Sequence, residues 1–416
     1  MESLSKEQQA VLETDSLGLL ALHTVTKTLF EIPQNMIYLD GNSLGPLPKS
    51  AIDRVTNMMT HEWGEMLISG WNKAGWMQQP IDLGNRLGRL IGAEKNHVVV
   101  GDTLSIKVYQ ALASALVMRS DRKVILTDNG NFPSDLYMAE GLIKSLDQGH
   151  KLRVVAPEEV PQHICEDVAV ILITEIDYRT GRMHDMVDIT QLAHAVGALT
   201  IWDLAHSAGA VEVDVAKAKA DFAVGCTYKY LNGGPGSPGF IYVAPRHINE
   251  VKPALSGWLG HATPFAFERN YRAGTAIERM RVGTPSVIAS ASLESALDIW
   301  DMVELVDVRL ASMDLSDLFI NTLEVTCPML KLVSPRDATA RGSQVSFQFQ
   351  DGYAAMQALI ARGVVGDFRA PNIMRFGFTP LYIDKDDVLA ACEIIRDVMQ
   401  NALWDKVEYR VTARVT

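Results

Sequence analysis

The stretch VAVILITEIDYRTGRMHDMVDITQLAHAVGALTIWDLAH, residues 168–206, decides the fold, because it holds two strand-like runs joined by a helical pattern. VAVILITEID (168–177) and LTIWDLAH (199–206) are apolar on successive residues, which is typical of strands covered on both faces. Between them, DMVDITQLAHAVGA (185–198) has helical periodicity. Strands buried on both faces and joined by helices favour a mostly parallel sheet.

The same alternation extends outward over residues 97–243. Further strand-like runs are HVVVGD (97–102), KVILTD (123–128), LRVVAPE (152–158), FAVGCTY (222–228) and GFIYVAP (239–245). Helical patterns cover SIKVYQALASALVM (105–118) and PSDLYMAEGLIKSL (133–146). This arrangement predicts an α/β, doubly wound large domain with helices on both faces of its sheet.

The last hundred residues have a different pattern. A strand (343–350), a helix (351–363), a strand (373–378) and a helix from 384 follow one another, which indicates an α+β small domain. A helix near 286–325 is expected to link the domains. The predicted division is an N-terminal arm with part of the small domain (1–40), a large domain (41–300) and a small domain (301–416).

Composition excludes several classes of protein. The chain has 416 residues, a formal charge of −12 and no basic tract, which argues against nucleic-acid or membrane-surface binding. The polar, acidic start MESLSKEQQAVLETDS does not read as a secretory or transit signal. The four cysteines lie far apart, without metal-ligand spacing, so we expect no metal site. Free thiols in a chain of this length favour the cytoplasm.

Polar residues follow the ends of the predicted strands. Asp203 ends one strand and Lys229 ends another, beside the glycine-rich loop 233–236. Ligands of open α/β sheets bind at the carboxyl ends of the strands. Taken singly, each feature has a simpler structural interpretation. Lys229 is then a solvated surface lysine, Asp203 is a helix cap, and the glycine-rich loop is a turn.

Together, these residues suit pyridoxal 5'-phosphate (PLP). A lysine can hold the aldehyde as a Schiff base while an aspartate keeps the pyridine nitrogen protonated. Thr103-Leu104-Ser105 leads into a helix whose free N–H groups would bind the phosphate, although Ser105 could simply cap that helix. Arg375, on a strand of the small domain, could clamp a substrate carboxylate or form an ordinary salt bridge.

Six segments in order carry a family resemblance: YLDGNSLG (38–45), NFPSDLY (131–137), WDLAHSAG (202–209), YKYLNGGPG (228–236), WLGH (258–261) and RFGFTPLY (375–382). Over most of its length, the chain resembles the kynureninase family, PLP-dependent enzymes of fold type I. The resemblance implies hydrolysis of L-kynurenine to anthranilate and L-alanine, in tryptophan catabolism. It also implies a homodimer.

The resemblance further implies roles for individual residues. Lys229, Tyr228 and Asp203 would be catalytic. The cofactor would contact Leu104, Ser105, Phe132, Asp135, Thr174, Asp203, His206, Tyr228, Lys229, Trp258 and Thr284. The substrate would contact Arg375, Trp71, His261 and Gly283.

Two positions depart from the family pattern, which often has asparagine where Thr284 stands and histidine where Trp71 stands. They leave the preference between L-kynurenine and 3-hydroxykynurenine open. Core packing would also explain the aromatic residues Trp71, Phe132 and Trp258. The alternative functions are another fold-type I enzyme, such as a cysteine desulfurase or a small-substrate aminotransferase, or a cofactor-binding protein without activity.

Overall fold

The computed structural model describes residues 25–411, so residues 1–24 of the predicted N-terminal arm lie outside the described residues. The α-helices are α1 (Ser50–Asn57), α2 (Gly70–Lys73), α3 (Gln79–Leu90), α4 (Leu104–Met118), α5 (Pro133–Leu146), α6 (Met186–Ala195), α7 (Val287–Trp300), α8 (Leu305–Thr326), α9 (Gly352–Ile360) and α10 (Lys385–Gln400). The strands are β1 (Phe30–Glu31), β2 (Ile37–Tyr38), β3 (Leu47–Pro48), β4 (Val98–Val100), β5 (Val124–Asp128), β6 (Lys151–Val155), β7 (Val168–Thr174), β8 (Leu199–Asp203), β9 (Phe222–Cys226), β10 (Gly239–Val243), β11 (Lys331–Leu332), β12 (Gln344–Gln348), β13 (Val364–Val365), β14 (Asp367–Arg369) and β15 (Ile373–Gly377).

The large sheet has the strand order β4-β10-β9-β8-β7-β5-β6. Strand β10 is antiparallel to both of its neighbours, and the strands from β9 to β6 pair in parallel. Each strand-like run between residues 97 and 245 forms one of these strands. The predicted α/β fold with a mostly parallel sheet is therefore confirmed.

The unit β7-α6-β8 forms from the stretch that opened the sequence analysis. Every residue of β7 and β8 is buried, as the apolar runs predict. Helix α6 begins where the Asp185 side chain accepts a hydrogen bond of 2.9 Å from the Asp188 N–H. In the parallel register Thr174 lies beside Asp203, so β7 and β8 end at the same edge of the sheet.

The smaller sheet has the order β11-β12-β15-β14, with antiparallel pairing throughout. Phe319 of α8 packs against the rings of Phe347, Phe376 and Phe378, with centroids 5.0 to 6.1 Å away. The strands and helices predicted for the last hundred residues form within one to three residues of their expected bounds.

The single helix predicted near 286–325 is wrong, because the structure has two helices there, α7 and α8. No glycine or proline interrupts the pattern between them. Trp300 and Val303 are both buried, and Glu304 is extended before α8 begins. The break therefore comes from burial in the tertiary structure, which helical periodicity does not register.

The described residues fall into two compact units. The smaller unit comprises residues 25–50, Arg179–Gly181 and 298–411, and the larger comprises Ala51–Tyr178 and Arg182–Leu297. The domain boundaries derived from the sequence stay a prediction. Within residues 25–411, none of the helices combines the length and the apolar character needed to cross a bilayer.

Candidate active site

Lys229 lies at the carboxyl end of β9 in the larger unit. Its Nζ is 2.9 Å from Nε2 of His206. The same nitrogen lies 5.8 Å from the ring centroid of Phe132 and 5.9 Å from that of Tyr228. An imidazole and two aromatic rings thus surround the ammonium, which is not the environment of a solvated surface lysine.

The glycine-rich loop after Lys229 has a structural role that the backbone explains. Gly234 and Gly236 have φ values of +88° and +74°, which favour glycine. A Cβ on Gly233 would lie 2.4 Å from Oγ of Ser237 and 2.8 Å from the Thr227 carbonyl oxygen. The loop is a tight turn that returns the chain to β10.

Asp203 and Asp135 form a pair of buried carboxyl groups, each with 1% of its surface exposed. Oδ1 of Asp203 accepts a 2.8 Å hydrogen bond from the Ala205 N–H, so one oxygen caps a turn. Burial raises the pKa of both groups, and the charge of Asp203 raises the pKa of Asp135 further. The charge of Lys229 acts in the opposite direction on both pKa values but does not cancel the increase.

One oxygen of this pair has no described partner. Oδ2 of Asp135 is buried without a hydrogen bond among the described residues. A buried carboxyl oxygen of this kind calls for a proton or a cationic donor. The Asp135–Asp203 pair is therefore suited to bind a protonated ring nitrogen.

Two helix N-termini meet in the larger unit. Oγ of Ser105, the second residue of α4, lies 3.0 Å from Oγ of Ser134, the second residue of α5. The capping residue of α4 is Thr103, so capping by Ser105 is not what the structure shows. The first N–H groups of a helix have no intrahelical acceptor, which makes such an end favourable for an anion.

Tyr228 and Thr174 flank the carboxylates. The nearby thiol of Cys226 raises the pKa of Tyr228, as do burial and the charge of Asp203. The phenol is therefore a neutral hydrogen-bond donor at physiological pH. The Thr174 hydroxyl donates to the carbonyl oxygen of Ile176 at 3.0 Å and to that of Asp203 at 3.4 Å, which orients the end of β8.

Phe132 and Trp258 are not core residues. Their exposed fractions are 41% and 42%, so burial does not account for them. Phe132 meets Tyr178 edge to face, and Trp258 meets Phe265 in the same way. Both rings are therefore available to a ligand.

Five predicted residues stand apart from this cluster: Trp71, Trp258, His261, Gly283 and Thr284. Trp71 packs edge to face on Trp76, and Nε2 of His261 lies 3.2 Å from the Asn270 carbonyl oxygen. Within residues 25–411, none of the five makes a described hydrogen bond or ring contact with Lys229, Asp203 or Asp135. Their ligand-binding roles stay predictions.

Arg375 belongs to the smaller unit and is 1% exposed. Its Nε donates to Oδ1 of Asp367 at 2.6 Å, and its Nη2 donates to Oδ2 of Asp367 and, at 3.0 Å, to Oγ of Ser43. The salt bridge considered from the sequence is therefore present. The carboxylate clamp is a second role that this ion pair would orient, and it stays a prediction.

Four further buried polar residues lie near the same edge of the sheet, and sequence reasoning gave none of them a role. His184 pairs with Asp128 at 2.6 Å, and Oδ1 of Asp128 accepts from the Gly130 N–H in the loop before Phe132. Burial raises the pKa of Glu175 to about 7, against the opposing effect of the Ser207 hydroxyl. Lys107 is buried in the first turn of α4. Asp128 and Glu175 had a sequence signal, because each stands at the end of an apolar strand, whereas His184 and Lys107 had none.

Three comparisons place this chain among known proteins. The family "Kynureninase C-terminal domain" matches residues 308–395. Kynureninase from Pseudomonas fluorescens is 48% identical over 93% of this chain and 95% of its own length. Kynureninase from Burkholderia mallei (strain SAVP1) is 46% identical over the same shares.

Solved structures share the fold at low identity. The cysteine desulfurase from Thermococcus onnurineus NA1 has a TM-score of 0.76 at 17% identity, covering 90% of this chain and 98% of its own. The cysteine desulfurase CsdA from Escherichia coli has a TM-score of 0.77 at 17% identity, covering 91% and 98%. At this identity the likeness shows the fold alone, whereas the relatives at 46–48% identity, which span nearly the whole chain, show the family. The chain therefore belongs to the kynureninase family.

Proposed function

We propose that this chain is a PLP-dependent hydrolase that cleaves the Cβ–Cγ bond of L-kynurenine, giving anthranilate and L-alanine. The observation that carries the proposal is the buried Asp135–Asp203 pair near Lys229, in a chain 48% identical to a kynureninase. Among structures with this fold, C-DES has been solved with glycine covalently linked to its PLP cofactor. Water is the second substrate, because this hydrolysis adds a hydroxyl to the γ-carbonyl carbon, which becomes the carboxyl group of anthranilate, and a proton to Cβ, which becomes the methyl group of L-alanine.

The residues present fit PLP. Lys229 would bind the aldehyde carbon, and the Asp135–Asp203 pair would accept the pyridinium N–H, which would satisfy the orphaned oxygen of Asp135. The N-terminus of α4, at Leu104 and Ser105, would hold the phosphate. Phe132 would cover one face of the ring, and His206 would lie close to Nζ of Lys229.

When bound, PLP supplies an electron sink that stabilises negative charge at the substrate Cα and Cβ. Lys229 would then remove the proton from Cα of the substrate and return it later in the cycle. Asp203 would hold the proton on the ring nitrogen through its charge, because a nearby carboxylate favours a cation. Tyr228, a neutral phenol, would donate a proton at the oxygen of the γ-carbonyl as water adds.

The substrate contacts are part of the same proposal. Arg375 would bind the α-carboxylate, since a guanidinium can bind it through two parallel hydrogen bonds. Trp71, His261 and Gly283 would contact the aryl group, with Thr284 nearby. These residues would set the preference between L-kynurenine and 3-hydroxykynurenine, and the chain would act as a homodimer in the cytoplasm.

The cysteines give the structure's own argument against the alternative of a cysteine desulfurase. Such an enzyme needs an accessible thiolate near the cofactor. Cys226, Cys327 and Cys392 are buried, and burial raises the pKa of each thiol. The exposed Cys165 precedes β7 and so lies at the amino end of the sheet, away from Lys229.

The direct test is Lys229→Ala, with the exposed Lys217→Ala as its matched control. We expect Lys229→Ala to lose the visible absorption of the lysine-bound cofactor and all release of anthranilate, which fluorescence follows. Lys217→Ala should retain both. If Lys229→Ala kept the absorption band and turnover, the assignment of Lys229 would be refuted. Formation of glutamate from a keto acid, in place of alanine and anthranilate, would indicate an aminotransferase.

The role of Arg375 needs a variant that does not leave the Asp367 carboxylate buried and unpaired. We therefore pair Arg375→Met with Asp367→Asn. The double variant should have a raised KM for L-kynurenine and should no longer prefer L-kynurenine over its methyl ester, which lacks the carboxylate. An unchanged preference for the free acid would remove Arg375 from substrate binding.

A further inference from the structure

Lys107 is a buried ammonium in the first turn of α4. It is 1% exposed, and its Nζ lies 3.1 Å from Oδ2 of Asp102 and 3.0 Å from Oε1 of Gln110. Lysine is almost never fully buried unless it is paired. Here its acidic partner is Asp102, whose side chain is 33% exposed.

Asp102 forms the turn that leads into α4. Its φ is +54°, in the left-handed region that aspartate tolerates better than most residues. Its carbonyl oxygen accepts a 3.0 Å hydrogen bond from the Gly239 N–H at the start of β10. The ion pair with Lys107 and this bond together fix the turn from which the first N–H groups of α4 emerge.

The other contacts of Lys107 reach a second segment of the candidate site. Its Nζ donates to the Met280 carbonyl oxygen at 3.4 Å, and Nε2 of Gln110 donates to the same oxygen at 3.1 Å. Met280 directly precedes the segment that carries Gly283 and Thr284, both expected to contact ligands. Lys107 therefore connects two segments proposed to bind the cofactor or the substrate.

The charges around Lys107 are unbalanced. A helix N-terminus carries partial positive charge, so a cation in the first turn is disfavoured there. Burial lowers the pKa of Lys107, and the charge of Arg281, itself 6% exposed, lowers it further against the effect of Asp102. Such a local excess of positive charge is expected where a protein binds an anion.

We propose that Lys107 is a positioning residue for the phosphate of the cofactor: its ammonium fixes the Asp102 turn and adds positive charge beneath the α4 N-terminus. The identity of the anion rests on the proposed PLP chemistry. Lys107 acts through the helix N-terminus and the turn, and bonds with neither the aldehyde nor the ring.

The test compares PLP with pyridoxal, which lacks the phosphate, by titrating the full-length apoprotein and following absorbance and protein fluorescence. Lys107→Met should weaken PLP binding at least about tenfold and leave pyridoxal binding unchanged, since the positive charge beneath the α4 N-terminus is lost. The exposed Lys144→Met is the matched control and should change neither affinity. A purely structural role would weaken both ligands equally.

A second variant is expected to change the preference for PLP over pyridoxal in the opposite direction. Asp102→Asn keeps the hydrogen-bond acceptor and the tolerance of positive φ, but it removes the negative charge. It should raise the ratio of PLP affinity to pyridoxal affinity, and it tests the inference even if Lys107→Met does not fold. An unchanged or lower ratio in Asp102→Asn, or an unchanged ratio in a folded Lys107→Met, would overturn the inference on Lys107 alone. Failure of the wild-type chain to bind PLP would overturn the proposed function as well.

Discussion

Two buried aspartates at opposite ends of the large sheet have pKa values shifted in opposite directions. Asp203 ends β8 and Asp221 directly precedes β9, and each is 1% exposed. Burial raises the pKa of Asp203, and its neighbours do not reverse that effect. Burial acts on Asp221 in the same direction, but hydrogen bonds from His194 and His247 and the charge of Arg246 hold its pKa well below the usual range.

The difference lies in the number of donors. Oδ1 of Asp221 is bonded to Arg246 at 2.6 Å and to His247 at 2.7 Å. Its Oδ2 is bonded to His194 at 2.8 Å and to the Thr200 N–H at 2.8 Å. Both oxygens of the Asp221 carboxylate, at the amino end of the sheet, therefore have hydrogen-bond donors.

At the carboxyl end, Asp128 is paired with His184 and the Gly130 N–H, but two other acids each have an oxygen without a donor in the part of the chain that the structure describes. Oδ2 of Asp135 and Oε2 of Glu175 are buried without hydrogen-bond partners among the described residues. Groups of this kind reduce stability and mark sites where a ligand is expected. We therefore interpret Asp221 as a carboxylate that stabilises the fold. We interpret Asp203, Asp135 and Glu175 as candidates for catalysis or ligand binding.

The largest expected effect is on activity. Asp203→Asn should lower kcat/KM for L-kynurenine about 100- to 1000-fold, since a preorganised charge is lost, without lowering the free energy of unfolding. Anthranilate fluorescence and urea unfolding of the same samples measure the two quantities. If Asp203→Asn lost less than about tenfold in activity, or lost much stability, Asp203 would not differ from Asp221 in the way we infer.

Asp221→Asn should have the opposite profile. Removing one partner from a buried ion pair leaves His194, His247 and Arg246 without their carboxylate, and the free energy of unfolding should fall by about 3–5 kcal/mol. The kcat of the folded variant should stay within about twofold of the wild type, because Asp221 lies at the other end of the sheet. The exposed Asp188→Asn is the control. If Asp221→Asn unfolded like the wild type, the stabilising role would be wrong.

Glu175 links the comparison to pH. Its pKa is raised from the usual 4.5 to about 7, so the folded chain binds more protons than the unfolded chain between these values. Stability should therefore fall as pH rises through this window, by roughly 3 kcal/mol from this residue. Glu175→Gln should lack that decrease and exceed the wild type in stability above pH 7, whereas the exposed Glu166→Gln should follow the wild type. Parallel pH profiles for Glu175→Gln and the wild type would contradict this.

The smallest effect concerns Asp135. Its pKa is raised by burial and by the charge of Asp203, so ionisation destabilises the folded apoprotein as pH rises. Asp135→Asn removes this charge and offers an amide donor to Asp203, which should increase the free energy of unfolding at pH 8 by about 1 kcal/mol. The gain should shrink as the pH falls to 5. A loss of stability at pH 8 would contradict this prediction, because it would mean that the folded chain favours the charged form of Asp135.

The sheet and its candidate functional edge were predictable because strand ends are visible in the sequence. Apolar runs that stop at Thr174, Asp203 and Cys226 place the residues after them at one edge. The hydrogen bond between Lys229 and His206 was not predictable, because it depends on how the two loops that follow the strands fold. The two helices in place of one at 287–326 show the same limit, since tertiary burial set that break.

Sequence alone determined the fold class and the order of the strands along the chain, and it predicted that a strand-end aspartate and a strand-end lysine act together in PLP chemistry. These features follow from local periodicity and residue type, which can be read from residues that are close together in the sequence. Only the tertiary structure decided which buried acids receive donors and which do not, and that Lys107 lies buried against Asp102. Burial and hydrogen bonding between distant residues set the free energy of each charge, and those contacts exist only after the chain has folded.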